Sequence, residues 1–488
     1  MPEIREIVMK KESLKTAALV LLVFCSIILT INKWFSEKLW PDGYNFFSNL
    51  TSYFSFGEKP VKKTYYLSKE NISNPSKIIV NNNELRALYT NTSVNYNTML
   101  PMVKSILKSG LSEKEFSQTT PEKWKDSLKG ASVYIAYPVS YDAKTFSAIM
   151  DTAISDFGIA SMKEFIIAFD NDSPGKAHML INDDSAEKFV DVPLNIDLNR
   201  LSEIIEKYAV SSVGEYPYSF ELNFDKKNDS VKQKIIIEPQ VILPLNSGIT
   251  ASVTRINYFD KISENKDLYL PILRSFGFNT TNIKKYIDTD NSIVFVENYG
   301  SIRMYSDGLL EYRALDDTKG IALDSSSNTS AGFYDNFIDC IEFVNNVWDT
   351  ALASHNMDIN LSSVSRNDSD GSFRLTIDYY ADGMEVISRL KKTDTHEKIN
   401  HAIEITVKNS RIVSYRQIVN GYNSNNDGIE HMSVIEALDI LMASDSIKSD
   451  TITDVYLAYA GDAVKTVCNP CWVAKTAENE IRIITKKR

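Results

Sequence analysis

Thr16 to Ile31 reads TAALVLLVFCSIILTI, an apolar run with no charge in it. Extended over 16–35, it approaches the roughly 20 apolar residues that cross a bilayer. Lys15 and Lys33 sit near its ends, where long side chains reach the headgroups. Trp34, Phe35 and Trp40 follow as an aromatic belt would. The pattern predicts a transmembrane helix over 16–35. A cleaved leader fits less well, because the run is long and no small-x-small site follows it. Arg5, Lys10, Lys11 and Lys15 precede the span, and that bias places the N-terminus in the cytoplasm and the bulk of the chain outside. Residues 1–15 are then a cytoplasmic tail too short to fold. Residues 36–60, rich in aromatics and carrying Gly43, Gly57 and Pro60, read as a juxtamembrane connector or as an amphipathic helix lying on lipid.

Beyond residue 60 the pattern alternates between short apolar runs of strand type and helical spacing. Residues 61–210 carry KIIV (Lys77 to Val80), VYIAY (Val133 to Tyr137) and EFIIAF (Glu164 to Phe169), with helical spacing over Met99 to Leu107 and Leu201 to Tyr208. This predicts an N-terminal α+β domain. Residues 211–325 read as a β-rich middle domain. Tyr218 to Phe224 alternates, and SIVFVE, SIRMY and LLEY follow, with Asp307-Gly308 as a turn. Residues 326–488 read as a C-terminal α+β domain. Tyr334, Phe337, Ile338, Ile341, Val344 and Trp348 share one helical face. FRLTIDY alternates before an Asp382-Gly383 turn, a hairpin turns around Lys408 to Ser410, and Ser433 with Glu436 opens a helix as a capping box. The expected fold class is α+β: an N-terminal transmembrane helix, then an extracytoplasmic body of mixed α/β units with antiparallel sheets and packed amphipathic helices.

Composition narrows the function. Against 53 Lys plus Arg stand 64 Asp plus Glu, a net charge of −11, which argues against nucleic-acid binding. The five histidines show no H-E-x-x-H spacing, and no G-x-S-x-G, P-loop or G-x-G-x-x-G occurs. Asn423, Asn425, Asp427 and Gly428 match the start of a calcium loop, but the position that needs a bidentate Glu is Val434, so a polar turn is the better reading. Four cysteines in 488 residues do not build a disulfide scaffold. Cys468 and Cys471 form C-N-P-C outside the membrane, a candidate local disulfide or a pair of free thiols. No enzyme, no cofactor and no metal are expected.

One family shares this organisation. IVFVENYGSIRMYSDGLLEY (Ile293 to Tyr312) resembles a strand–turn–strand segment of the YycH and YycI regulators of Gram-positive bacteria. FRLTIDYYADGMEVI (Phe373 to Ile387), SVIEALDIL (Ser433 to Leu441), VYLAYAG (Val455 to Gly461) and PCWVAKT (Pro470 to Thr476) are similar to the domain those two proteins share. The resemblance covers the membrane helix and residues 211–488, and is YycH-like because YycI is shorter. Residues 61–210, the long connector and C-N-P-C depart from the pattern. The resemblance implies a single-pass accessory of the cell membrane that binds and modulates the sensor histidine kinase WalK (YycG) of a two-component system controlling cell-wall metabolism. Its implied partners are a WalK-like kinase, a YycI-like protein and membrane lipid. In the span, Ala18, Ser26 and Thr30 are candidate helix contacts, since small residues allow close approach and hydroxyls bond across helices. The competing reading is an extracytoplasmic binding module for a cell-wall component or peptide.

Overall fold

Strand Lys77–Asn82 buries its central residues on both of its faces, and strand Ser132–Tyr141 does nearly the same. Successive side chains of a strand point to opposite faces, so such runs need a sheet that is covered twice. The computed structural model describes residues 67–484, apart from 84, 171–172, 174, 184–187, 227–234, 246–247, 261, 282, 328–331, 353–356, 368, 426, 444–450, 461–465 and 477–480. In it, these strands lie inside a seven-stranded antiparallel sheet. The order is Leu85–Tyr89, Lys77–Asn82, Ser132–Tyr141, Met162–Phe169, Ala177–Asp183, Lys188–Leu194, Ser117–Thr119. Ile78 and Val80 share a core with Met99, Val103 and Leu107 of helix Tyr96–Leu111 and with Leu201 and Ile205 of helix Leu198–Tyr208. Ile79, between them, points the other way, to Trp124 and Leu128 of helix Pro121–Lys129 and to Tyr218.

The second sheet joins sixteen strands among the described residues. Its path runs Lys285–Ile287, Ile293–Glu297, Gly300–Met304, Leu309–Ala314, Arg411–Ile418, Ile403–Lys408, Ser372–Ala381, Met384–Val386, Thr451–Ala460, Val467–Thr476, Val253–Asn257 and Asn420–Ser424. Strand Asp358–Asn367 pairs beside Ser372–Ala381, and Ile481–Ile484 beside Val467–Thr476. Most pairs are antiparallel; Met384–Val386 and Ile236–Ile237 each lie parallel to Thr451–Ala460. The boundary expected at residue 325 falls within this sheet. Leu309–Ala314 pairs with Arg411–Ile418, and Val253–Asn257 with Val467–Thr476, so both flanks of 325 build one ladder. Local periodicity marks strands but carries no record of their distant partners.

Helix Phe333–Leu352 covers the inner face and buries Phe337, Cys340, Ile341, Val344, Val347 and Trp348. Trp348 meets Tyr379 at 5.3 Å between ring centroids, and Phe343 meets Phe276, next to helix Lys266–Ser275, at 5.2 Å. Helix Val434–Ala443 lays Val434, Ala437, Leu438 and Leu441 against Val455, Trp472 and Ala474. Its start is capped as expected, with Ser433 Oγ accepting from the Glu436 N–H at 3.2 Å. The turns also stand where expected. Asp382 and Gly383 take φ of 48° and 77°, and Asn409 and Ser410 take 52° and 54°, the left-handed pair that tight hairpins need.

Tyr218 to Phe224 was expected as a strand and is instead a 3-10 turn over Ser219–Leu222. The cause is Arg86, almost wholly buried at 1% exposure. Its guanidinium grips Glu221 with two bonds, at 2.7 and 3.0 Å, and lies 4.0 Å above the Tyr218 ring. It also donates to Asn81 Oδ1 at 2.7 Å and to the Tyr216 carbonyl at 2.8 Å. Glu221 accepts the Tyr218 N–H at 2.7 Å as well, which folds the segment back on itself. A buried cation with this many partners outweighs the alternation of a seven-residue stretch.

No helix among the described residues is long and apolar enough to cross a membrane. The span expected over 16–35, the tail 1–15 and the connector 36–60 lie outside the described residues.

Candidate functional site

Ala18, Ser26 and Thr30 lie outside the described residues. Cys468 and Cys471 are free thiols within strand Val467–Thr476. The local disulfide is thereby corrected. Three positions along an extended strand span about 10 Å and point to opposite faces, beyond the roughly 7 Å that a disulfide tolerates between Cα atoms. Burial pushes the Cys471 thiol up to about 12 and raises that of Cys468, so neither is poised as a nucleophile. Pro470 fits this strand because its neighbours on one edge end early. Val253–Asn257 pairs only with Val467 and Cys468, and Ile481–Ile484 only from Trp472 onward.

The polar loop near Asn425 binds its own chain. Asp427 accepts from the Ser252 N–H at 2.8 Å and from its Oγ at 2.7 Å, while Asn425 donates to Ser252 Oγ at 2.7 Å. Among the described residues no group of three or more His, Cys, Asp or Glu converges as a metal site. Two of the histidines face carboxylates: His396 Nε2 lies 2.7 Å from Asp307, and His401 Nδ1 lies 2.9 Å from Asp378.

The densest chemistry lies where the two sheets meet. Strand Asp358–Asn367 of the large sheet runs against Ser132–Tyr141 of the small one. Two ion pairs cross the seam: Lys77 to Asp454 at 2.9 Å, and Arg366 to Asp142 at 2.9 Å. Asp142 also caps helix Ala143–Met150 through the Thr145 N–H at 3.0 Å. Burial pulls the Asp142 carboxyl upward, but the Thr145 bonds and the Arg366 charge overcome this and hold it below the usual carboxylate range. Arg366 lies 4.5 Å over the Phe333 ring, beside a cavity of about 210 Å³ lined by Tyr141, Thr145 and Val364. Leu67 is tied in too: Asn345, on the long central helix, accepts from its N–H at 3.1 Å and donates to its carbonyl at 2.8 Å.

Behind Asp454 a charged relay penetrates the large sheet. Glu385 is 8% exposed and stands opposite Tyr380 in the hairpin that Asp382 and Gly383 turn. Burial first, then the neighbouring Asp378 charge, push its carboxyl up to about 7, against a hydrogen bond with Tyr456 and the charges of Lys475 and His401. Asp378 is also buried, yet bonds with His401, Ser362 and the Ala402 N–H hold it below the ordinary range. Burial and then Lys163 lower Lys475, against the pull of Glu385, Asp454 and Asp378. Burial raises Asp454, but Lys77, Lys163 and Lys475 hold it down. The relay thus runs from Asp378 and His401 through Glu385 and Lys475 to Asp454, and on to Lys77 and Lys163 of the small sheet.

Sequence reasoning missed this relay. Arg374, Thr376, Asp378 and Tyr380 alternate with Phe373, Leu375, Ile377 and Tyr379, which reads as a solvent face. Thr376 and Asp378 are nonetheless buried, while Arg374 on the same face is exposed. The one available signal was an acid, Glu385, two positions after an Asp-Gly turn in a strand with apolar neighbours.

Residues 12–210 match the family model described as YycH protein, N-terminal domain. Over that stretch the chain is similar to YycH. The likeness in sequence therefore covers the region expected to depart from the pattern, residues 61–210, which builds the seven-stranded sheet. Among solved structures, YycH from Bacillus subtilis matches with a TM-score of 0.53 at 14% identity, covering 88% of this chain and 100% of that one. At that identity the likeness is one of fold. An uncharacterized protein from Eubacterium rectale matches with a TM-score of 0.32 at 16% identity, over 53% of this chain and 88% of that one. No curated protein matches the chain.

Proposed function

We propose that this protein is a membrane-anchored extracytoplasmic accessory that binds a WalK-like sensor histidine kinase and biases it between signalling states, adjusting cell-wall metabolism. The observation that carries the reading is the family match over 12–210, a stretch that contains both the charge-free apolar run and the small sheet. The span 16–35 is the anchor, with Ala18, Ser26 and Thr30 as its contacts to partner helices. In this reading the output belongs to the partner, and the accessory acts by differential contact with the partner's states. A YycI-like protein is the second partner in this reading. The ion pairs of the seam support it in kind, since charged contacts between two sheets suit a body that changes shape or affinity.

The test is co-purification of the full-length protein from membranes, beside a version with the span replaced. Recovery of a WalK-like kinase with the native span and its loss with the replacement establishes the reading. Recovery of wall polymer with no kinase in either sample overturns it in favour of a wall-binding module.

A further inference from the structure

The buried relay and the cross-seam ion pairs form one continuous set of charges, and among the described residues Glu385 is a member buried in the large sheet, at 8% exposure. Glu385 faces Asp378 and Tyr380 from strand Ser372–Ala381, His401 from the segment before Ile403–Lys408, Tyr456 from Thr451–Ala460, and Lys475 from Val467–Thr476. Through Lys475 and Asp454 it connects to Lys163 and Lys77 of the small sheet. The turn that presents Glu385 also touches the small-sheet side directly, since a side chain at Gly383 would collide with Thr92.

We propose that Glu385 is the proton switch of this seam: protonated, it lets the two sheets close; ionised, it draws water and loosens the Met384–Val386 hairpin and the Lys77–Asp454 contact. The direction follows from linkage. A carboxyl pushed up to about 7 in the closed state, against an ordinary value of 4.5 when hydrated, makes the closed state hold a proton that the loosened state releases. Raising the pH from 4.5 through 7 therefore favours loosening, by up to roughly two orders of magnitude in the equilibrium, and the effect is flat above that. Lys77 and Asp454, at the far end of the set, are half-buried, with side chains 25% and 33% exposed. The switch deepens the regulator reading by naming an external condition, acidity, that the body registers, and it rests on that reading only for its use.

The experiment is hydrogen exchange of the full-length protein in detergent at pH 5.5 and 8, corrected for the intrinsic exchange rate, on wild type and Glu385→Gln. No kinase is present, so the outcome is independent of partner identity. The expected result is at least tenfold lower protection at pH 8 over 384–386, 451–460 and 77–82 in wild type, with high protection at both pH values in the variant. An infrared band from a protonated carboxyl, present in wild type at pH 5.5, lost by pH 8 and absent from the variant, is the second expected result. Equal protection at both pH values in wild type, or the same pH dependence in Glu385→Gln, overturns the proposal.

Discussion

A few side chains concentrate the energetics at the scale of single residues. Arg86 is buried with its charge matched by Glu221, and removing one partner of such a pair leaves the other charged and dry. Arg86→Ala is expected to destabilise the protein by about 3–5 kcal/mol, read from the urea midpoint, whereas a surface change such as Lys392→Ala, at an exposed pair, shifts it little. Glu385 carries the opposite sign from a salt-bridged acid. Its carboxyl is raised, so the stability it contributes is full below its unfolded value and is lost as the pH climbs toward 7. Glu385→Gln is expected to gain about 2–4 kcal/mol at pH 8 and little at pH 4.5, and denaturation curves at the two pH values check the crossover. The cysteines follow from strand geometry: Cys468 and Cys471 are expected to remain two thiols under mild oxidant, a count that mass spectrometry after alkylation reads directly.

Among elements, the hairpin at Asp382-Gly383 and the long helix Phe333–Leu352 do the joining. Gly383→Ala both strains a φ of 77° and drives a Cβ into Thr92, so it is expected to lower the melting temperature, with partial recovery in combination with Thr92→Ser. Asn345 on the long helix holds both backbone groups of Leu67. Asn345→Ala is expected to lower the melting temperature while leaving the far-ultraviolet spectrum unchanged, since the two bonds to Leu67 are lost and the helix core is not. Local signals were enough to mark most of these elements. The apolar face of the long helix, the Ser433 cap and both Asp-Gly turns sit where spacing and turn chemistry put them, because each depends on residues within a few positions. Tyr218 to Phe224 was not legible, because its shape is set by Arg86, 135 positions from Glu221.

For the molecule as a whole, one hydrophobic cluster runs through both sheets, from Ile78 and Val133 to Phe373 and Tyr459. The detergent-solubilised protein is therefore expected to lose far- and near-ultraviolet signals in a single transition with one midpoint, and separated midpoints would show that the sheets unfold independently. The sequence by itself determined what short-range physics controls: the charge-free run over 16–31, the strand and helix periods, the turns, and the absence of recognised catalytic motifs. Tertiary structure alone decided the rest. It joined strands on both sides of residue 325 into one sheet, turned the polar face of FRLTIDY inward, and gathered Glu385, Asp378, Lys475 and Asp454 around one seam. The reason is physical: alternation says that two faces differ, but which face meets water depends on what other strands cover it, and the pKa of a carboxyl depends on charges brought close in space from distant parts of the chain.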